Sequence, residues 1–292
     1  MIITAPNGMT RFDIPSVAGT KRPKGRIFFV DSALGSDGQP AESGSVFKTI
    51  AAALAVCATG NADTIYVYPG TYTFTATLAI TISNVSIIGL GGKGMVGSGV
   101  TIEAAALAGH AITITDADKV EISNITIHGA AGYACIKYVD TSATANGFGM
   151  YWHNLKLNVP SNAASYGILT GSDANDDIND SLIENVNIIC AATAAAGILL
   201  SGTRNVVKNS IVWADGGTVT AGILTVANKM GALIDNCRFM EKGGTFTLGI
   251  NDPANYTEIC NCISNMGTAA NFITQSGTGG TNHACQVASG TV

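Results

Sequence analysis

The stretch Val120-Glu-Ile-Ser-Asn124-Ile-Thr-Ile127 decides the fold, because versions of it return along the rest of the chain. Equivalent asparagines, each set in the same pattern, occur at Asn84, Asn124, Asn154, Asn185, Asn209, Asn236 and Asn261. Apolar residues, with Ser210 and Ser264 as exceptions, stand two positions before, one after and three after each asparagine. Alternate residues of a strand share a face, so these three positions can all point inward only if the chain turns at the asparagine. Asparagine tolerates the left-handed conformation of such a corner and can form a side-chain ladder with its neighbours.

A second landmark, an apolar strand opened by a small residue, precedes each later asparagine and moves in step with it. Its glycines lie at Gly167, Gly197, Gly222 and Gly249, in register with the asparagines that follow them. Repeats of this length are typical of stacked units that bury an apolar face only against their neighbours. We therefore predict an all-β fold, a single-stranded right-handed parallel β-helix, with about eight coils stacked to roughly 40 Å.

The repeat also suggests how the chain is divided. We expect an extended basic N-terminal anchoring arm at 1–26, an opening strand and capping helix at 27–64, the β-helix at 65–275 and a C-terminal tail at 276–292. The helix is predicted over 46–57, where Phe47, Ile50, Leu54 and Cys57 share one face. Ser45 is its predicted N-cap and Gly60 its stop.

The segment 29–89 resembles the N-terminal part of pectin-lyase-like β-helix proteins. The motifs that carry the resemblance are Phe29-Val-Asp31, Gly35-Ser-Asp37, Phe47-Lys-Thr-Ile50, Asp63-Thr-Ile-Tyr-Val67, Pro69-Gly-Thr-Tyr72 and Val85-Ser-Ile-Ile-Gly89. It is most similar to versions encoded among phage structural genes, often beside the major capsid protein. The resemblance implies the β-helix fold and a role in the virion. The same segment also occurs in secreted and cell-surface β-helices.

The composition indicates which partners and which environment the chain has. Charged residues make up 12%, the net charge is −5, and the mean hydropathy is +0.31. So few charges predict that part of the lateral surface is covered in an oligomer, and we expect a homotrimer. We see neither an apolar run of membrane-spanning length nor a signal peptide. The acidic balance argues against a nucleic-acid partner for the body.

The segment 1–26 concentrates positive charge. We predict that Arg11, Lys21, Arg22, Lys24 and Arg26 bind a partner, which is a neighbouring copy or an acidic scaffold such as the major capsid protein or another virion protein. A basic tail without a partner and a nucleic-acid contact are the alternatives.

The residues that could carry chemistry are sparse, so we predict no catalytic residue, metal or cofactor. Glu184, Lys208 and Asp235 share one offset in consecutive coils, which could form a catalytic stripe but is more typical of solvated cross-strand pairs. The acidic stretch 172–180 is read as a loop, with calcium as the alternative. The four histidines are read as single structural residues. Cys237 and Cys262 are expected to stack as buried thiols.

These features together predict a non-enzymatic phage virion structural protein. We expect a trimeric capsid decoration protein of the cement or head-fibre type, anchored on the outer capsid surface by its arm and made in the host cytoplasm. The alternative is a tail-spike-type or secreted β-helix that binds or cleaves polysaccharide, which keeps a glycan among its partners.

Overall fold

The structure is a computed structural model that describes residues 25–91, 99–141, 147–171, 177–227, 229–267 and 272–287. In these residues the chain winds as an all-β parallel β-helix, which confirms the predicted fold class. Successive coils pair in parallel along three faces. Each face buries one row of side chains in a common core.

The strands divide among the faces as follows. The first face, before the asparagine corner, contains β1 (Ile27–Val30), β2 (Val46–Phe47), β3 (Thr64–Val67), β6 (Ser86–Gly89), β9 (Glu121–Ser123), β18 (Val206–Lys208), β21 (Leu233–Asp235), β24 (Glu258–Cys260) and β27 (Thr281–His283). The second face, after the corner, contains β4 (Gly70–Thr73), β7 (Val100–Glu103), β10 (Thr126–His128), β19 (Ile211–Asp215), β22 (Arg238–Lys242), β25 (Ile263–Ser264) and β28 (Gln286–Val287). Two strands, β13 (Tyr151–Val159) and β16 (Leu182–Cys190), run through the corner and belong to both faces.

The third face is a sheet of eight described strands. It contains β5 (Leu78–Ile80), β8 (Ile112–Thr115), β11 (Ala134–Val139), β14 (Asn162–Leu169), β17 (Ala194–Leu200), β20 (Thr218–Thr225), β23 (Thr245–Asp252) and β26 (Ile273–Gln275). A short pair, β12 (Gly147–Phe148) with β15 (Ile178–Asn179), lies between the third and first faces.

The asparagine corner is built as the sequence indicates. All seven asparagines are left-handed, with φ between 49° and 59°. The six from Asn124 to Asn261 stack in one column, because the strand residues around them pair coil by coil. The side-chain ladder is discontinuous. Asn236 Nδ2 donates to Asn209 Oδ1 at 2.8 Å, and Asn185 bonds Asn154, whereas Asn209 and Asn261 donate to carboxylates.

Asn84 lies at a different corner from the other six. Ser86, two residues after it, pairs with Glu121, which is three residues before Asn124. Asn84 is therefore level with Lys119, and the structure does not continue the predicted ladder to it. The spacing from Asn84 to Asn124 is the widest between consecutive asparagines of the series, because it combines one coil with the step between two corners.

That other corner recurs five residues before each of the six stacked asparagines. Its positive φ values occur at Lys119, Gly149, Asp180, Arg204, Gly231 and Tyr256, and again at Gly279 before the last coil. Its backbone amides bond to the next coil, as from Lys119 N to Phe148 O at 2.7 Å. From Lys119 onward, each coil thus makes two left-handed corners around the short strand of the first face.

The core contains the predicted inward positions. Those two before, one after and three after the asparagines are buried, apart from the half-buried Ile82. Ser210 fits among them because its hydroxyl donates to Lys208 O at 2.9 Å and accepts from Val186 N at 3.1 Å. Cys237 and Cys262 are buried free thiols in adjacent coils, as predicted.

Glycines of the third face allow the faces to approach closely. A Cβ atom on Gly222 would lie 2.3 Å from Cδ1 of Phe239 and 2.6 Å from Gly249 O. The equivalent positions Gly167 and Gly197 are similarly crowded by core side chains and by the next coil. These glycines lie inside β14, β17 and β20 rather than at the start predicted for them, and the absence of a side chain there is a packing requirement.

The N-terminal helix is shorter than predicted. Helix α1 (Ile50–Ala55) has six residues and is capped by Thr49, whose side chain accepts from Ala52 N. Val46 and Phe47 extend instead as β2 against β1, so Ser45 is not the cap. Buried Ile50 and other apolar residues close the core at this end. No helix in the described residues is long and apolar enough to cross a membrane.

The column continues past residue 275. Strands β27 and β28 pair with β24 and β25 in register, so the predicted tail begins as a further coil. The arm before residue 25 lies outside the described residues.

Candidate binding surfaces

The outward positions of the first face carry the predicted stripe. The residues one position before the six stacked asparagines follow the order Ser123, His153, Glu184, Lys208, Asp235 and Cys260, and His283, before Ala284, continues the stack. Ser123 is buried beneath the others. Glu184, Lys208 and Asp235 are therefore neighbours in consecutive coils. Glu121 and Glu258, three positions before their asparagines, lie in the parallel outward column.

The acids of this stripe are bonded within the stack. Lys208 Nζ lies 3.3 Å from Glu184 Oε1, which also accepts from Asn209 at 3.3 Å. Asp235 accepts from Asn261 Nδ2 at 2.9 Å. A general acid or base needs a carboxyl group within reach of a proton on the substrate. These carboxylates are used to pair neighbouring coils, as in ordinary cross-strand stabilisation.

A more enclosed cluster surrounds Glu121. His153 Nε2 lies 3.0 Å from Glu121 Oε1, and Ser86 Oγ donates to Oε2 at 2.8 Å. The Tyr151 ring stacks on His153 with centroids 3.9 Å apart. Burial alone would raise the pKa of Glu121, but the bonds from His153 and Ser86 outweigh it and hold the pKa below its usual value. Glu121 is thus an ionised anchor for the histidine.

Two of the structural histidines each pair with a glutamate, and neither pair brings two histidines together. His128 Nδ1 lies 3.0 Å from Glu103 Oε2, and these two residues are partners on the ladder between β7 and β10. The sequence held a signal for this pair, because Glu103 and His128 are one coil period apart along the chain. The His153–Glu121 contact is diagonal and carries no such signal.

The third face has a different character, because its long strands are almost free of charge. In β14, β17, β20 and β23 the only charged residue is Asp252, which is fully buried and bonded by Thr257, Thr225 and Gln275. Leu199 and Leu224 are half-buried at outward positions of this face. Exposed threonines occur on the same sheet at Thr218, Thr220, Thr245 and Thr247.

The acidic loop is only partly described. Residues 172–176 lie outside the described residues. Most of the side chains that would bind calcium in the alternative reading are among them. Asp177 accepts from Lys229 Nζ at 2.6 Å and from Ser201, and Asp180 pairs with Arg204. In the described part of the chain no three His, Cys, Asp or Glu residues are grouped to hold a metal.

Of the five cations predicted to bind a partner, only Arg26 lies within the described residues. Arg11, Lys21, Arg22 and Lys24 lie outside the described residues. The structure gives Arg26 an internal role, because its Nη2 lies 2.7 Å from Asp63 Oδ2 and donates to Val56 O at 2.8 Å. The carboxylate of Asp63 is fully buried and also accepts from Arg26 N and Ala58 N. Arg26 is thus a clamp between β1, α1 and β3.

Solved structures share this arrangement of coils. A mutant pectin methylesterase in complex with a hexasaccharide aligns over 90% of this chain and 90% of its own, with a TM-score of 0.57 and 15% identity. The fold is that of pectin-lyase-like parallel β-helices. A rhamnogalacturonan lyase aligns over 89% of this chain and 62% of its own (TM-score 0.41, 16% identity). An open-reading-frame product of Geobacillus virus E2 aligns over 86% and 60% (TM-score 0.39, 12% identity).

The sequence itself has no recognised relative in these comparisons. No family model matches it, nor does any curated protein. At identities of 10–16% the structural likeness establishes the fold alone. The function is therefore argued from the surfaces of this chain.

Proposed function

We propose that this chain is a non-enzymatic structural protein of a phage particle. Three copies associate side by side into a column that decorates the capsid exterior, with the N-terminal arm on the major capsid protein or another virion protein. The resemblance of residues 29–89 to phage-encoded β-helices supports the virion setting. The observation that carries the structural role is the third face, whose long described strands expose no charged side chain and carry the half-buried Leu199 and Leu224.

Two physical arguments connect that face to self-association. A soluble protein rarely leaves a contiguous apolar surface in water, and burying it against identical copies removes that surface without needing a charged partner. Closed cyclic symmetry ends the assembly at a fixed size. The first face, with its charges paired in the stack, suits exposure to water.

The alternative from the sequence is a tail-spike-type or secreted β-helix that binds or cleaves polysaccharide. A glycosidase needs two carboxyl groups about 5–10 Å apart with a substrate between them. Among the described strands, the stripe that aligns acids best bonds them to Lys208, Asn209 and Asn261. We therefore place cleavage second to the structural role.

The oligomeric state tests the structural role in solution. We expect sedimentation equilibrium of the full chain to give three times 29.7 kDa. Replacing Leu199 and Leu224 together by Lys should give monomers with an unchanged far-ultraviolet circular dichroism spectrum. Val206→Lys is the matched control, because Val206 is a half-buried aliphatic residue at an outward position of the first face. It should remain trimeric. A monomeric wild type, or a trimeric double variant, would overturn the proposed use of this face.

A further inference from the structure

Three cysteines form a column at the C-terminal end of the β-helix. They are Cys237, Cys262 and Cys285, and each directly follows a left-handed corner residue. Ile263 N donates to Cys237 O and Gln286 N donates to Cys262 O, both at 2.9 Å, so the three cysteines lie in register in consecutive coils. All three are free thiols. We call them the thiol column.

The side chains of the column point towards one another. Cys262 Sγ lies 3.7 Å from Ile234 O in the coil before, and Cys285 Sγ lies 3.6 Å from Ile259 O in the same relation. Each of these thiols is therefore turned towards the cysteine one coil earlier. Hydrogen bonding with the Cys237 thiol is the main cause that raises the pKa of Cys262, with burial second, so neighbouring thiols of the column are in contact.

The spacing of the coils suits a disulfide between neighbours of the column. Parallel strands lie about 4.8 Å apart, and residues joined by a disulfide have Cα atoms roughly 4.4–6.8 Å apart. Their Cβ atoms must approach to about 3.8 Å, so one coil has to shift slightly. In the described part of the chain β27 and β28 pair only with β24 and β25, whereas the coil before them is held on both sides. The last coil is therefore the one that can shift.

The last coil is also the one with the weakest side-chain contacts. Its corner residue is Ala284, whose left-handed conformation (φ 52°) is less favourable for alanine than for asparagine. A methyl group cannot donate the bond that Asn261 makes to Asp235 Oδ1 at 2.9 Å one coil earlier. Asn282 stands in register with the buried Ile259 yet is exposed. A covalent bond beside this corner would hold the coil in place.

We propose that Cys262 and Cys285 form a redox-dependent disulfide that fastens the last coil to the column. Cys285 is half-buried, so an oxidant can reach it, whereas Cys262 is fully buried and completes the bond from inside. In a reducing cytosol both residues remain thiols, and in an oxidising environment they pair. The chain thus folds before the bond exists and acquires it afterwards.

The reaction is a thiol–disulfide exchange with a small disulfide such as oxidised glutathione. The Cys285 thiolate attacks one sulfur of glutathione disulfide, which forms a mixed disulfide and releases one glutathione thiolate that takes up a proton. Cys262 then loses its proton to water, and its thiolate attacks Cys285 Sγ. This step releases the second glutathione. Two protein thiols are oxidised and one glutathione disulfide is reduced to two thiols.

Two other cysteines are less suited to pair with Cys285. Cys237 lies two coils away, roughly 10 Å, which is beyond the reach of a disulfide. Cys260 lies on the outward side of its strand, where its Sγ is 3.7 Å from Glu258 Oε1 and its ladder partner is His283. Cys285 and Cys262 both follow the corner on the inward side. The bond joins residues of one chain, so it forms whether or not the chain is a trimer.

Peptide mapping of the full chain tests the bond. The protein is purified under a reductant, the reductant is removed, and the protein is incubated with oxidised glutathione at about pH 8.5, near the usual pKa of a thiol. Chymotryptic cleavage after Phe272 separates Cys285 from Cys260 and Cys262. We expect mass spectrometry to find the two peptides linked, and to find them separate after reduction. Unlinked peptides, or a Cys285 that remains a glutathione adduct, would overturn the proposal.

Variants identify the partner, because Cys260 and Cys262 are two residues apart and stay in one peptide. Cys262→Ala should abolish the link, and Cys260→Ala is the matched control that should keep it. A link that survives in Cys262→Ala and disappears in Cys260→Ala would refute the assignment. Far-ultraviolet circular dichroism should be the same for both variants and the wild type. The mapping of the wild type stands even if a variant does not fold.

Hydrogen exchange measures what the bond does to the last coil. Gln286 N donates to Cys262 O, and Thr281 N donates to Thr257 O, so both amides report on the contact between the last two coils. We expect their exchange to be about tenfold slower in the oxidised protein, because the bond restricts local opening. The amide of Val206, in the middle of the column, should exchange equally in both forms. Unchanged exchange at Gln286 in the linked protein would contradict the fastening role.

Discussion

At the scale of single residues, the corners link sequence to structure most directly. A left-handed backbone costs an ordinary side chain about 1–2 kcal/mol, and asparagine lowers that cost through local hydrogen bonds. The asparagines recur because each coil meets this requirement again. The bond from Asn236 to Asn209 adds a contribution that glycine cannot supply.

Asn236 separates the two contributions. Replacement by Gly keeps the left-handed conformation but loses the side-chain bond, so we expect a loss of about 0.5–1.5 kcal/mol in the free energy of unfolding. Replacement by Ala loses the bond and adds strain, so its loss should be larger by about 1 kcal/mol. Urea unfolding of the two variants measures the difference. Equal stability of the Ala and Gly variants would contradict the role of the corner.

Asp63 is a second residue whose substitution is informative. Burial alone would raise the pKa of its carboxyl, yet the bonds from Arg26 and the Ala58 amide outweigh it and hold the pKa below the usual 3.8. Asp63→Asn removes one partner of the clamp and should cost about 2–3 kcal/mol, less than for a fully buried pair because Arg26 is partly exposed.

The pH dependence of that difference follows from the sign of the shift. A carboxyl whose folded pKa is lowered stabilises the fold fully above its unfolded pKa, near 4, and loses this contribution as the pH falls through the folded pKa. Wild type and Asp63→Asn should therefore differ by a constant amount from pH 5 to 8 and converge only below about pH 4. Thermal unfolding across that range checks it. A gap that widens in acid would show that the clamp has been misread.

At the scale of elements, the repeated coils could be predicted from the sequence, whereas the two ends of the column could not. The inward positions follow from the apolar pattern alone, because a strand face must be buried. The helix was overestimated, since Val46 and Phe47 fit a helical pattern but gain more by pairing with β1. Tertiary pairing overrides local propensity at such a boundary.

The second corner shows a different limit of the sequence. Its residues include lysine, aspartate, arginine and tyrosine besides glycine, so they share a backbone conformation but no side chain. A pattern search by residue type finds the asparagine corner and misses this one. Asn84 was assigned to the wrong corner for the same reason. The His153–Glu121 pair joins two different outward columns, so its prediction requires the register of the coils.

The glycines of the third face are an element-scale requirement that can be tested. Gly222→Ala places a methyl group against Phe239 and against the backbone of the next coil, so we expect a loss of about 2–3 kcal/mol or more. Gly267→Ala is the matched control, because its Cβ would meet no atom of the described residues within 4 Å. Urea midpoints should fall for the first variant and stay within error for the second. A tolerated Gly222→Ala would mean that the faces can move apart.

At the scale of the whole molecule, the three faces have different surface chemistry. Paired charges cover the first face, Trp213 lies beside lysines on the second, and the third has half-buried leucines, exposed threonines and few charges. This division is consistent with a column that exposes the first face to water and covers the third with its own copies. The low charge of the sequence predicts an oligomer but does not indicate which face the copies would cover, because that needs the assignment of strands to faces.

The copy number of this chain in purified phage particles tests the central claim most directly. Quantitative mass spectrometry against the major capsid protein should give a fixed stoichiometric ratio across preparations, in multiples of three. A handful of copies per particle would contradict capsid decoration and favour a tail spike. Complete absence from the particle would contradict the virion role itself.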